Sequence, residues 1–227
     1  MLVVAVDTSG RKGSIALCRG DLESFELLQL ISLEGGTYSA QLMPRLAEAL
    51  KLNKLDKTQV DGFVVVSGPG SFTGLRVGLA TLKGLCEVLR KPLATVSMLE
   101  AVALMYGRPG ETAACLLDAG RREIYVSEYQ LSAGGISILV EEYIAKLDAL
   151  AGETVCKRDH PLTPDAEIAE VLGAANIDVR LVPAIHADGV GRIGIRKLLA
   201  GENSDPATID VNYIRRSDAE IFTARQQ

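Results

Sequence analysis

Residues 61–90 constrain the fold more than any other stretch of this chain. Asp61-Gly62-Phe63-Val64-Val65-Val66-Ser67 is a short, nearly continuous apolar run without polar alternation, the pattern of a strand covered on both faces. It leads into Ser67-Gly68-Pro69-Gly70-Ser71-Phe72-Thr73-Gly74-Leu75-Arg76, a loop punctuated by three glycines and a proline. A helical pattern follows from Thr73 to about Arg90, carried by Leu75, Leu79, Leu82, Leu85 and Leu89 and closed by Pro92. Ser71 or Thr73 can cap that helix, and the glycines let some other group come close to the backbone.

A phosphate is the first candidate for that group, because a glycine loop opening a helix is a ready anion cradle. The residues do not fit the templates. A Walker A loop needs Lys-Ser or Lys-Thr after its last glycine, where this chain has Leu75-Arg76 after Gly74. The dinucleotide fingerprint counted from Gly68 ends on Thr73, one residue short of Gly74, and Pro69 removes a backbone donor. The helix itself offers another possibility. Its small residues Gly74, Gly78, Ala80 and Gly84 would let a second helix approach, since interaxial distance depends on the side chains at the contact.

Before this unit, Leu2 to Val6, Gly13 to Cys18 and Glu23 to Ser32 read as three successive strands, with Asp7-Thr8-Ser9-Gly10 as a polar turn after the first. Leu42, Leu46 and Leu50 mark a helix from Tyr38 to Leu52, with Pro44 expected near its first turn. After it come a strand at Leu93 to Val96, a helix at Met98 to Tyr106 and a break at Gly107-Arg108-Pro109-Gly110. The second half opens as the first does. Thr112 to Leu117 is an apolar strand ending in Asp118, and Glu123 to Tyr129 and Gly135 to Val140 are its antiparallel partners.

Further strands are expected at Glu153 to Lys157 and Arg180 to Val182, with helices at Asp165 to Ala175 and Ala187 to Leu199. The repeated opening predicts two α/β lobes of like topology, 1–106 and 107–227, with the helix at 187–199 returning to the first lobe. Asp7, Thr8, Ser9 and Asp118 would then line a nucleotide cleft, although an aspartate ending a strand is also a common turn former.

Composition narrows the chemistry. The 227 residues carry a net charge of -5, so no overall attraction to nucleic acid is expected, and the basic pairs Arg11-Lys12, Arg121-Arg122 and Arg215-Arg216 lack interleaved aromatics. Cys18, Cys86, Cys115 and Cys156 stand apart in apolar runs, as reduced buried thiols of a cytoplasmic protein do. His160 and His186 belong to no H-x-x-x-H or H-E-x-x-H pattern, and Ser71 is not in G-x-S-x-G, so neither a catalytic metal nor a hydrolase triad is expected. The opening apolar run lacks a basic flank and reads as a strand, and no run approaches the ~20 apolar residues of a membrane span.

Four motifs stand out together: Ala5-Val6-Asp7-Thr8-Ser9, Ser39-Ala40-Gln41-Leu42-Met43-Pro44, the run from Gly68 to Gly78, and Leu117-Asp118-Ala119 with Arg122-Glu123-Ile124-Tyr125. In these the chain resembles one family, TsaB, also called YeaZ, of bacterial tRNA threonylcarbamoyladenosine biosynthesis. The resemblance implies a two-lobed actin-like, Hsp70-like fold with a degenerate nucleotide site that needs no cofactor and retains at most weak ATP or ADP binding. It implies a non-catalytic, cytoplasmic scaffold that pairs with the catalytic paralogue TsaD and the ATPase TsaE. Their product is threonylcarbamoylated adenosine 37 in tRNAs reading codons that begin with A; tRNA is met through the complex, and the subunit forms a homodimer when alone. The pairing surface maps to Tyr38, Gln41, Leu42, Arg45 and Leu46 on the first helix and to Gly74, Leu75, Arg76, Gly78, Ala80 and Thr81 on the second. Tyr38, Gly120 and Val211 depart from the family pattern. The alternative is a stand-alone ATP-dependent phosphotransferase or ATPase holding Mg-ATP with Asp7 and Asp118.

Overall fold

The computed structural model describes residues 1–150, 161–206, 208–212 and 214. They divide into two compact units, Met1–Ala101 with Ile185–Asn212, and Val102–Ala184. The division falls inside a helix, α3 (Met98–Tyr106), and not at the 107–110 break.

The first unit is a five-stranded mixed sheet in the order β3-β2-β1-β4-β5, made of β1 (Leu2–Asp7), β2 (Lys12–Gly20), β3 (Phe25–Glu34), β4 (Gly62–Gly68) and β5 (Leu93–Ser97). β1 pairs antiparallel with β2 and parallel with β4, so it is the central strand, and all six of its residues are buried. That explains the absence of alternation in both β1 and β4: each has a helix layer on either side. Helices α1 (Tyr38–Leu52) and α2 (Phe72–Leu89) cover one face. The other is covered by α6 (Ala187–Leu199), which packs on β1, β2 and β4 with Val190, Ile193 and Ile195 buried. Neighbouring residues of β4 show the two sides: Val65 lies under α2 and Val64 under α6.

α1 buries Tyr38, Leu42, Leu46 and Ala49, a single stripe at helical spacing. Pro44 is its seventh residue, on the exposed side, rather than in the first turn as expected; the residue whose carbonyl loses its helical donor, Ala40, is exposed as well. α2 begins at Phe72 with Ser71 as its cap, whose hydroxyl accepts from Gly74 N–H at 3.3 Å. It ends in a left-handed Arg90 (φ 53°), two residues before Pro92.

The second unit repeats the topology in a new sheet, β8-β7-β6-β9-β10. Its strands are β6 (Thr112–Gly120), β7 (Glu123–Ser132), β8 (Gly135–Lys146), β9 (Leu162–Thr163) and β10 (Arg180–Leu181). β6 is its centre, antiparallel to β7 and parallel to β9, as β1 is to β2 and β4. The core packs Leu116, Ile124 and Val126 of this sheet against α4 (Leu147–Leu150), α5 (Ala166–Ala174) and Ile177. β8 runs six residues past the expected end at Val140, because irregularities in its pairing with β7 at Val126–Tyr129 break the alternation that marks a strand. The strand expected at Glu153 to Lys157, and with it Cys156 and His160, lies outside the described residues.

Candidate docking groove and glycine loop

What approaches the glycine loop is the chain's own first turn. Ser71 N–H donates to Ser9 carbonyl at 2.6 Å, and Thr8 Oγ1, fully buried, donates to Gly74 carbonyl at 2.7 Å. A Cβ on Gly74 would collide with the Thr8 carbonyl, and one on Gly70 (φ 158°) with the Ser9 carbonyl. Two of the loop's N–H groups, those of Ser71 and Gly74, are therefore already engaged within the chain.

The same contacts correct the reading of the α2 small-residue row. Gly78 faces inward: a Cβ there would strike Thr8 Oγ1 and come within 3.5 Å of Val65. Gly74 and Gly78 thus share a buried arc with Leu75, Leu79, Leu82 and Cys86, turned toward the sheet and the Thr8 turn rather than outward. Ala80 and Gly84 lie on the opposite, exposed side, where a Cβ on Gly84 would meet nothing within 4 Å. Four-residue spacing puts Gly74 with Gly78 and Ala80 with Gly84 on separate faces.

The other residues assigned to a pairing surface divide likewise. Tyr38 is buried, its hydroxyl donating to Gly10 carbonyl at 2.8 Å, and its pKa is pushed up to about 12 by burial and by the Asp7 and Glu34 carboxylates. Leu42 and Leu46 are buried under α1. Gln41 folds its amide back on Glu34, accepting from its N–H at 3.2 Å and donating to its carbonyl at 3.0 Å. Thr81 is half-buried and donates to Val77 carbonyl. Three remain open: Arg45, paired with Glu48 at 3.0 Å; Arg76, stacked 3.8 Å above the Phe72 ring; and Ala80.

Sequence reasoning missed a feature nearer the far ends of the two helices. Between α1 and α2 lies an apolar groove of about 110 Å³. Val4 and Phe63 of the sheet lie at its base with Val60; Met43, Leu46, Ala47 and Leu50 form the α1 wall, and Leu85 and Leu89 the α2 wall. Among the described residues, Lys57 is the one charged residue of the lining. Met43 is 47% exposed, and Val88 on the outer side of α2 is 78% exposed. The signal was present in Met43, Ala47 and Val88, apolar residues outside the core stripes of their helices.

The carboxylates assigned to a nucleotide cleft are each turned back on their own turns. Asp7 is buried, and its Oδ1 accepts from Ser9 N–H at 2.9 Å and Ser9 Oγ at 2.6 Å. Burial raises its pKa above the ordinary carboxylate value, and the Ser9 bonds oppose that rise only in part. Asp118, exposed in the second unit, accepts from Gly120 N–H at 2.7 Å while its own N–H donates to Asp165. Among the described residues no three His, Cys, Asp or Glu side chains gather as a metal site, and no helix is long and apolar enough to cross a membrane.

The family model described as TsaD, tRNA N6-adenosine threonylcarbamoyltransferase, matches residues 35–180, well over half of the chain. The tRNA threonylcarbamoyladenosine biosynthesis protein TsaB of Bacillus subtilis is 29% identical over 163 residues, 71% of this chain and 69% of that protein. The chain belongs to this family, on its TsaB (YeaZ) branch. The TsaB of Haemophilus influenzae is 32% identical over 130 residues, 56% of this chain and 53% of its own length, so the chain spans about half of that relative. In fold, YeaZ from Pseudomonas aeruginosa matches with a TM-score of 0.71 at 22% identity, covering 93% of this chain and 98% of that one. The two mixed five-stranded sheets are those of the actin-like TsaB and TsaD architecture.

Proposed function

We propose that the protein is a non-catalytic subunit of a tRNA threonylcarbamoyltransferase complex. It docks and activates TsaD, with TsaE as the associated ATPase, for threonylcarbamoylation of adenosine 37 in tRNAs reading codons that begin with A. The observation that carries this reading is the apolar groove between α1 and α2, open on a chain whose net charge is -5. A groove walled by Met43, Ala47, Leu85 and Leu89 offers a helix an apolar seat and offers a small polar substrate nothing. When TsaD is absent, the same seat accepts a second copy, and the protein acts in the cytoplasm.

The stand-alone phosphotransferase reading has less support, because the glycine loop turns two of its N–H groups, those of Ser71 and Gly74, onto Ser9 and Ser71. The decisive experiment is Ala47→Arg. Ala47 is exposed and lines the groove, so the variant should keep its thermal midpoint while losing co-purification with TsaD and the modification. An intact, active complex formed by the Ala47→Arg variant would overturn the docking surface.

A further inference from the structure

Lys57 lines the groove, Lys51 and Arg90 directly follow the lining residues Leu50 and Leu89, and Lys54 and Lys91 stand near them in the chain; Glu87, between Leu85 and Leu89, is the exposed acid of this part of α2. Lys91 is half-buried and the other four are exposed, and among the described residues none of the five forms a salt bridge. Two neighbouring acids are committed elsewhere. Asp56 Oδ1 accepts from Thr58 N–H at 2.9 Å and Thr58 Oγ1 at 2.6 Å, bonds that hold its pKa low, and Asp61 Oδ2 accepts from Leu2 N–H at 2.7 Å. Lys51, in the last turn of α1, and Lys54 and Lys91, each one residue past a helix C-cap, are placed as the helix dipoles favour, whereas Lys57 opens a 3-10 turn and has no such reason to be there.

We infer that the groove accepts a partner helix in one orientation, with its apolar stripe between α1 and α2 and an acidic end, carrying two or more Asp or Glu, over Lys54, Lys57 and Lys91. This rests on the docking reading above and deepens it. The cations lie at the rim, and rim charges act through encounter rate, register and salt dependence more than through net affinity. They also set specificity, since a helix inserted the other way round leaves its acids away from the lysines and the cationic end unpaired. The occupant is protein rather than RNA, because a phosphate backbone has nothing to place against Ala47, Leu85 and Leu89.

The test measures the affinity of purified TsaD for the full chain at ~50 and ~500 mM salt, where the screening length shrinks from about 14 to about 4 Å. The variant Lys54→Glu/Lys57→Glu/Lys91→Glu should bind about tenfold more weakly at low salt and lose most of the salt dependence of the wild type. Its neutral counterpart, Lys54→Gln/Lys57→Gln/Lys91→Gln, should fall between the two, which separates a charge effect from lost folding. Equal affinity and equal salt dependence in all three proteins would overturn the inference, and Ala47→Arg then separates the causes. If Ala47→Arg still abolishes the complex, the groove stands and the acidic end falls. If it too binds TsaD, both readings fall. Retention of tRNA by the isolated protein, lost in the Glu variant while TsaD affinity is unchanged, would also overturn it, assigning the lysines to RNA.

Discussion

Adding one methyl group to α2 at Gly78 or at Gly84 should have opposite effects, because the two residues look in opposite directions. At Gly78 the new Cβ lands on Thr8 Oγ1, a buried hydroxyl donating to Gly74 carbonyl at 2.7 Å, with Val65 behind it. Overpacking of this kind costs about 1–3 kcal/mol, and displacing the hydrogen bond about 1 more. Against these stands the gain from replacing a helical glycine with alanine, up to about 1 kcal/mol. The net expectation for Gly78→Ala is a loss of about 1–3 kcal/mol, a fall in thermal midpoint of about 3–10 °C for a chain of this size. Gly84→Ala, with nothing within 4 Å of the new Cβ, should instead gain about 0.5–1 kcal/mol. Thermal and urea unfolding of both variants measures the difference. A double-mutant cycle identifies the cause: in a Thr8→Ala background the Oγ1 obstacle is gone, so Gly78→Ala should cost less than in the wild type. Equal shifts for Gly78→Ala and Gly84→Ala, or additive behaviour in the cycle, would refute the inward placement of Gly78.

Two further outcomes follow from buried titrating groups. The folded-state pKa of Asp7 lies above the ordinary 3.8, so the folded protein holds this proton more tightly than the unfolded chain. Its contribution is therefore most favourable below about pH 4 and is lost as the pH rises through the folded value; Asp7→Asn should flatten the part of the stability curve that falls as the pH rises above ~4 in denaturant titrations. The thiols of Cys18 and Cys86 are pushed up to about 12 by burial, and that of Cys115 is raised as well, so none of the three should react with a thiol reagent at pH ~8 until the chain is unfolded.

The centre of each sheet was legible because continuous apolar strands leave few choices: Leu2 to Val6 and Gly62 to Val66 could only be covered on both sides. The repeated order of strands was legible for the same reason, as Thr112 to Leu117 had to be a second centre. What the pattern could not give was the rotation of α2 about its axis. Leucines and glycines both suit a face packed on a sheet, so separating them into two faces looked reasonable, yet Thr8 reaches up from the end of β1 and takes the glycine side. The groove was hidden for a related reason. It arises where α1 and α2 stand apart over Val4 and Phe63, a gap set by three-dimensional spacing, which no periodicity in either helix records. Lys57, its charged residue, sits in a short 3-10 turn, Lys57–Gln59, whose capping box of Asp56 and Gln59 spans only four residues.

The fit of α2 against the Thr8–Ser9 turn also sets the mechanical behaviour of the first unit. Three contacts without clearance, Ser71 to Ser9, Gly74 to Thr8 and Gly78 to Thr8, tie the start of the helix to the end of the central strand. A body so tied has no play: α2 cannot slide along its axis or roll without dragging the turn, and the turn holds the buried carboxylate of Asp7 through Ser9. Load placed on the outer wall of the groove is thus shared between β4 beneath the helix and the tip of β1, with the methyl-free side of the helix serving as a keyway between the two.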